Sequence, residues 1–271
     1  MKIGLAIAPE TASPLAFVVF RDRLETTMEK VSRLGYDGVE LALRDSNEID
    51  VVRVRQALIQ YGLEIPVISS GRVFAEGKVW FTHPDKLVRR QAVETMKGLV
   101  RLAAEFGSKV NVGRVRGFIG ESESHEIAEE RFLECMRDCA DLAGELSVEM
   151  LIEPVNRYEI NYINSVTDAL EVLDKLARPN VTVMPDVFHM NIEDRSITAS
   201  LKQAGARVGY VHFADSNRHA PGQGHLNFAE IVNVLKEIGY NWYVTAEILP
   251  YPDPDTAAAN AIGFIRHSMY G

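Results

Sequence analysis

VEMLIEP (148–154), VTVMPDV (181–187), GYVHFAD (209–215) and YVTAEIL (243–249) are four short apolar runs, each with one acidic or imidazole side chain near its end. Those side chains are Glu153, Asp186, His212 and Glu247, separated by 33, 26 and 35 residues. A strand, its helix and the connections between them use about 30 residues. The spacing therefore delivers one such residue at the end of each of four successive βα units. Earlier in the chain four runs have the same character: KIGLAI (2–7), GVELAL (38–43), IPVISS (65–70) and KVNVGRV (109–115). All eight are rich in β-branched residues and largely apolar on both faces, as parallel strands buried on both sides require.

Segments of helical periodicity lie between the runs. One spans about 20–34 and stops at Gly35. A long one runs from Pro84 to Phe106 and stops at Gly107, with Pro84 near the first helical position and Asp85 in the first turn. It sets Leu87, Val93, Met96, Leu99, Val100 and Ala103 on one side. Asn227 is placed to cap FAEIVNVLKEIG. Eight strands alternating with eight helical segments, with no Pro/Ser/Gly-rich linker, predict a single (β/α)8 TIM barrel over residues 1–271. A doubly wound open sheet would want a glycine-rich turn after the first strand, and the sequence there is APETASP.

Length and charge narrow the function classes. A chain of 271 residues, 46% apolar, has material for one large core. A net charge of −9 argues against DNA or an anionic membrane as partner, because phosphate contacts need a basic face. Cys135 and Cys139, four apart in a helical segment, read as a buried helix face and not as a disulfide framework. MKIGLAIAPE reads as a first strand, not a signal peptide. No apolar run approaches a membrane span, so the expected location is the cytoplasm.

In (β/α)8 barrels the chemistry sits at the C-terminal ends of the strands. Taken singly, Asp186 or Glu247 reads equally well as the cap of a following helix. Taken jointly, three carboxylates and one imidazole at four strand ends make a divalent-metal site with oxygen-rich ligation. A cation relieves the cost of burying the carboxylates. Glu159, His189 and Arg218 follow Glu153, Asp186 and His212 by six, three and six residues, in loops facing the same mouth. Their alternatives are a solvated glutamate, a structural histidine and a surface arginine. Asp215 and His225 read as groups that orient ligands. Arg114 and Arg116 either receive an anionic end of a substrate or are a solvated pair.

The runs IEPVNRYEINYINSVTDAL, PDVFHMNIED, VHFADSNRHAPGQGHLNF and AEIL carry a family resemblance. They resemble the xylose-isomerase-like TIM-barrel sugar epimerases, above all the D-tagatose/D-psicose/L-ribulose 3-epimerase group and the related bacterial 5-keto-L-gluconate epimerase. ADSNR followed by PG-x-GH is the most discriminating phrase. The resemblance implies one divalent ion, Mn2+ with Mg2+ or Co2+ as substitutes, bound by Glu153, Asp186, His212 and Glu247. It implies catalysis by Glu153 and Glu247, and substrate contacts from Glu159, His189 and Arg218. The implied reaction is epimerisation of a keto sugar or keto sugar acid by deprotonation and reprotonation through a cis-enediolate. A homo-oligomer, dimer or tetramer, is the implied assembly. Rivals on the same scaffold are an aldose–ketose or hydroxypyruvate-type isomerase, and an inosose dehydratase. An endonuclease of the endonuclease-IV type would need further histidines on early strands. None of the seven histidines falls at the end of strands one to four. A sugar-binding protein without activity is a third class.

Overall fold

Residues 1–14 and 17–270 are described by a computed structural model. Eight barrel strands form: β1 Lys2–Ala8, β2 Gly38–Ala42, β3 Val67–Ser69 and β4 Lys109–Val112, then β5 Met150–Ile152, β6 Val181–Val183, β7 Val211–Phe213 and β8 Tyr243–Ala246. All pair in parallel, in the order β6-β5-β4-β3-β2-β1-β8-β7. The two remaining edges meet through the single bridges Val183–Val208 and Asp186–His212, which close the ring. A two-residue strand, Phe20–Arg21, lies beside the end of β1.

The strands are shorter than their apolar runs because the backbone turns before the side chains cease to be buried. Pro66 lacks an N–H and leaves β3 to begin at Val67. Beyond β4, Gly113 leads into a 3-10 turn at Arg114–Arg116. The long helix begins at Lys86 and not at Pro84: the Asp85 carboxylate accepts the Leu87 N–H at 2.8 Å and acts as N-cap. Leu87 faces outward, 67% exposed, against the expectation that it packs inward, whereas Val93, Met96, Leu99, Val100 and Ala103 are buried on the opposite side of the helix. Gly35 and Gly107 end their helices in the left-handed conformation that costs glycine little. Asn227 caps its helix through Glu230 N. Both cysteines are free and buried on the inner face of helix His125–Glu145.

Ten α-helices, not eight, occur among the described residues. The additional two are short, Gly71–Ala75 after β3 and Val187–Glu193 after β6, and both sit where the strands deliver the chain to the C-terminal rim. Arg72 on the first of them spends all five N–H donors on Glu48, Glu76 and the Ala42 carbonyl. Glu48 also accepts from Thr11 and Arg44, and Glu76 from Ser13 N. The loops after β1, β2 and β3 are thereby tied into one wall. Among the described residues no helix is long and apolar enough to cross a membrane.

Candidate active site

Each of the four strand-end residues reaches the barrel mouth by a different local device. Glu153 follows β5 directly, and its backbone N–H donates to Val112 O. Asp186 and His212 sit on the bridge that closes the barrel, where His212 N donates to Pro185 O at 2.9 Å. Glu247 follows β8. One ligand atom from each of Glu153, Asp186, His212 and Glu247 lies within 4.8 Å of the other three. The two readings of Asp186 turn out to be compatible. Its Oδ1 accepts Phe188 N at 2.8 Å and caps the short helix, while Oδ2 points into the cluster.

Two fully buried atoms at the centre, Asp186 Oδ2 and His212 Nδ1, have no hydrogen-bond partner among the described residues. They lie 3.8 Å apart, with Glu153 Oε1 at 3.4 Å and Glu247 Oε2 at 3.7 Å from the same nitrogen. Buried polar atoms left unmatched in this way are rare and costly. Lone pairs converging from three carboxylates and one imidazole fit a divalent cation in donor type and number.

The electrostatics without a cation show the strain of that convergence. Burial pushes Asp186 up to about 6 and Glu247 up to about 7, in spite of the positive neighbours Arg218 and His212. Glu153, equally buried, is nonetheless held down by the His212 charge beside it and by the hydrogen bond from Asn111. Burial would drive the His212 proton off, but Glu40, Glu247 and Glu153 hold its pKa well above the ordinary value. In the absence of an ion, a protonated imidazole carries the positive charge the cluster needs.

Glu159, His189 and Arg218 line one cavity of about 500 Å3 together with Glu153 and Glu247. His189 is buried on the short helix, 3.7 Å from Asp186 Oδ2 through Nε2. Burial, reinforced by the Arg218 charge, keeps its pKa well below the ordinary imidazole value, so the ring is neutral. Arg218 donates to Glu247 Oε2 at 2.5 Å and Glu159 Oε1 at 3.1 Å. Its guanidinium lies over the rings of Phe17 and Phe188, 4.1 and 4.8 Å from their centroids. Its backbone is left-handed, φ 61°, a conformation that a non-glycine residue adopts only when its surroundings impose it. In this turn Arg218 N–H donates to Asp215 O at 2.8 Å, and the Asp215 carboxylate accepts Ser216, Gly222 and Leu226 N–H. A Cβ on Gly224 would come within 2.2 Å of that carboxylate, which explains the glycine in PG-x-GH.

Other expectations sort differently. Asp215 organises the Arg218 loop and orients no member of the cluster. His225 is exposed and pairs with Ser216. Arg116 is neither solvated nor turned toward a ligand: it is fully buried and donates to the carbonyls of Gly113, Glu153, Tyr162 and Ile163. Arg114 does line the cavity, 3.7 Å from Glu159. Glu40, to which the sequence assigned no role, is the residue it missed. Buried in β2, it takes the Nε2 side of the His212 ring at 2.8 Å. That contact leaves Nδ1 as the inward-facing nitrogen. A carboxylate inside the otherwise apolar run GVELAL was the available signal.

A closed parallel barrel carries at its C-terminal rim a cluster of three carboxylates and one imidazole that could hold a metal ion. The chain belongs to the xylose isomerase-like TIM barrel family, whose model matches residues 28–268. It is 29% identical over 233 residues to the L-ribulose 3-epimerase of Methylomonas sp. (strain DH-1), covering 85% of this chain and 80% of that one. It is 24% identical to the 3-dehydro-D-guloside 4-epimerase of Escherichia coli (strain K12), covering 89% and 95%. A solved D-allulose 3-epimerase from Methylomonas sp. superposes with a TM-score of 0.83 at 25% identity, covering 99% and 98%.

Proposed function

We propose that this chain is a metal-dependent epimerase of keto sugars, and that Glu153 and Glu247 exchange the proton. The observation that carries this reading is a division of labour within the cluster. Glu153 and Glu247 line the cavity, whereas Asp186 and His212 lie fully buried behind it. All four would hold the ion, with Mn2+ as the first choice. When bound, it supplies Lewis-acid stabilisation of negative charge developing on the substrate's carbonyl oxygen.

The chain's own residues would do the rest. Removing a C–H proton beside a carbonyl and returning it to the opposite face needs one group on each side of the carbon. Glu153 follows β5 and Glu247 follows β8, strands that are not neighbours in the ring. His189 and Arg218 would donate hydrogen bonds to the oxygen on which charge accumulates. Glu159, bonded to Arg218, would accept from a neighbouring hydroxyl. Phe17, Val18 and Leu249 keep the cavity wall apolar and limit water at the reacting carbon.

Glu40 bears on the ion through His212. Glu40→Gln should weaken Mn2+ binding about 10- to 100-fold while leaving the barrel folded. Isothermal titration of the metal-free variant checks this, and unchanged affinity would remove Glu40 from the site.

For the substrate, the relatives named for 3-epimerisation of ketoses and 4-epimerisation of a keto-glycoside support a keto sugar. Arg114 lines the cavity with one ion pair among the described residues, Glu159 at 3.7 Å, and this favours a keto sugar acid such as 5-keto-L-gluconate or D-tagaturonate beside free ketoses. Incubating the protein with ketoses and hexulosonates in D2O with Mn2+, and following products by NMR, tests the reading. Epimers labelled at one carbon are expected. Aldose products would indicate the alternative, an aldose–ketose isomerase. No turnover on the whole panel, with metal bound, would defeat both.

Chelator should abolish the activity. The gain in Tm on adding Mn2+ should also grow from pH 5 to pH 8. The raised values of Asp186 and Glu247 mean that the folded protein without metal binds extra protons and loses stability as pH rises through about 6 to 7. Bound metal displaces those protons and restores the loss.

A further inference from the structure

The side-chain amide of Asn156 has one orientation open to it. Its Oδ1 accepts the backbone N–H of Tyr158 at 3.0 Å, so its Nδ2 faces the other way. There it meets Glu159 Oε1 at 3.2 Å and His189 Nδ1 at 2.8 Å. Asn156 and His189 are both buried, with 2% exposure each. An NH2 group carries no lone pair that could take a proton. His189 Nδ1 is therefore the accepting nitrogen, and the proton of the neutral ring resides on Nε2, the nitrogen that faces the metal-ligand cluster.

We propose that Asn156 is a positioning residue that locks His189 as the Nε2–H tautomer, making it a hydrogen-bond donor toward the substrate oxygen. The functional consequence rests on the keto-sugar reading above; the tautomer itself does not. His212 is the mirror case. Its outer nitrogen meets the Glu40 carboxylate, an acceptor, and its inner nitrogen is left to offer a lone pair to a cation. Two imidazoles, one in β7 and one on the short helix after β6, are thus given opposite roles by the chemistry of their outer partners. Because Asn156 also holds Glu159, one amide sets the direction of two groups that line the cavity.

The test is two-bond 15N–1H correlation NMR on histidine-labelled protein, metal-free and Mg2+-loaded, with His189 assigned by comparison with His189→Gln. The wild type should show Nε2–H. In Asn156→Asp the new carboxylate accepts a proton from Nδ1, so the ring should become Nδ1–H or doubly protonated. Turnover should fall about 10^2- to 10^3-fold, the scale on which loss of one donor to a developing oxyanion costs an enzyme. Its Mn2+ affinity should stay within a few-fold, since Asn156 touches none of the four ligand atoms. A wild-type Nδ1–H tautomer, or an Asn156→Asp variant with turnover within threefold of wild type, would overturn the proposal. Should the variant fail to fold, the wild-type spectrum alone still decides. A protein with the Nε2–H tautomer but no keto-sugar turnover would count against the proposed function and not against the tautomer assignment.

Discussion

Glu153→Gln and Glu247→Gln are each expected to lower epimerisation at least about 10^3-fold, the upper range for loss of a positioned acid–base group, while leaving the barrel folded. Glutamine matches glutamate in shape, so the contacts of each side chain survive in part. Asn111 Nδ2 lies 2.7 Å from Glu153 Oε2, and Arg218 Nη2 lies 2.5 Å from Glu247 Oε2. What glutamine cannot do is take a proton from carbon and give it back. If the two carboxylates serve opposite faces, each variant keeps one working face. It can still remove the proton that points at the surviving glutamate and return a solvent deuteron to the same face. Glu153→Gln should then exchange deuterium into one epimer only, and Glu247→Gln into the other, with no interconversion in either. Exchange measured by NMR from each pure epimer separates this from simple damage to the site, which would lower both equally. Wild-type turnover in either variant would end the two-base scheme.

The barrel was legible because its signal is local: eight apolar runs with helical segments between them need nothing from tertiary context. Glu153, Asp186, His212 and Glu247 were legible for a related reason, since a strand end fixes where a side chain goes and the βα repeat fixes the spacing. Groups whose role lies in a distant partner were not. Glu40 is 172 residues from His212, and nothing near GVELAL distinguishes a carboxylate that steadies a histidine from one left at a strand surface. Asn156 stood inside a quoted motif, but its meaning depends on His189, 33 residues on and across a βα unit. The expectation for Leu87 failed for a smaller reason: at about 100° per residue it lies on the opposite side of the helix from the stripe of Val93, Met96, Leu99, Val100 and Ala103, wherever the helix starts.

Arg116 was the least legible residue, and it is expected to have the largest effect on stability. In GRVRG it resembles a surface charge, yet it is wholly buried, and among the described residues its donors go to backbone carbonyls. Its Nε donates to Tyr162 O at 2.7 Å, Nη1 to Gly113 O and Glu153 O at 2.9 Å each, and Nη2 to Ile163 O at 2.8 Å. Burial lowers its pKa only to about 10, so the guanidinium remains charged at neutral pH. Four carbonyl dipoles stand in for a counter-ion. They belong to the turn after β4 and to both ends of the segment from Glu153 to Ile163, which carries Asn156 and Glu159 between them. Arg116→Met keeps the volume of the stem but leaves those carbonyls without their charged donor, at about 1–3 kcal/mol for each buried acceptor left unmatched. Relief from burying a charge offsets part of this, and a net loss of about 3 kcal/mol remains. For a chain of this size that corresponds to a fall in Tm on the order of 10 °C. Arg116→Lys should recover little, because one ammonium cannot reach four carbonyls arranged around a planar fork. Thermal unfolding of both variants checks the expectation. In whatever fraction folds, turnover should fall together with the loss of order in the 153–163 segment, read as faster amide exchange at those residues. If Arg116→Met melted with the wild type, the carbonyl clamp would have no energetic weight, and the position of Glu153 would have to be set by β5 alone.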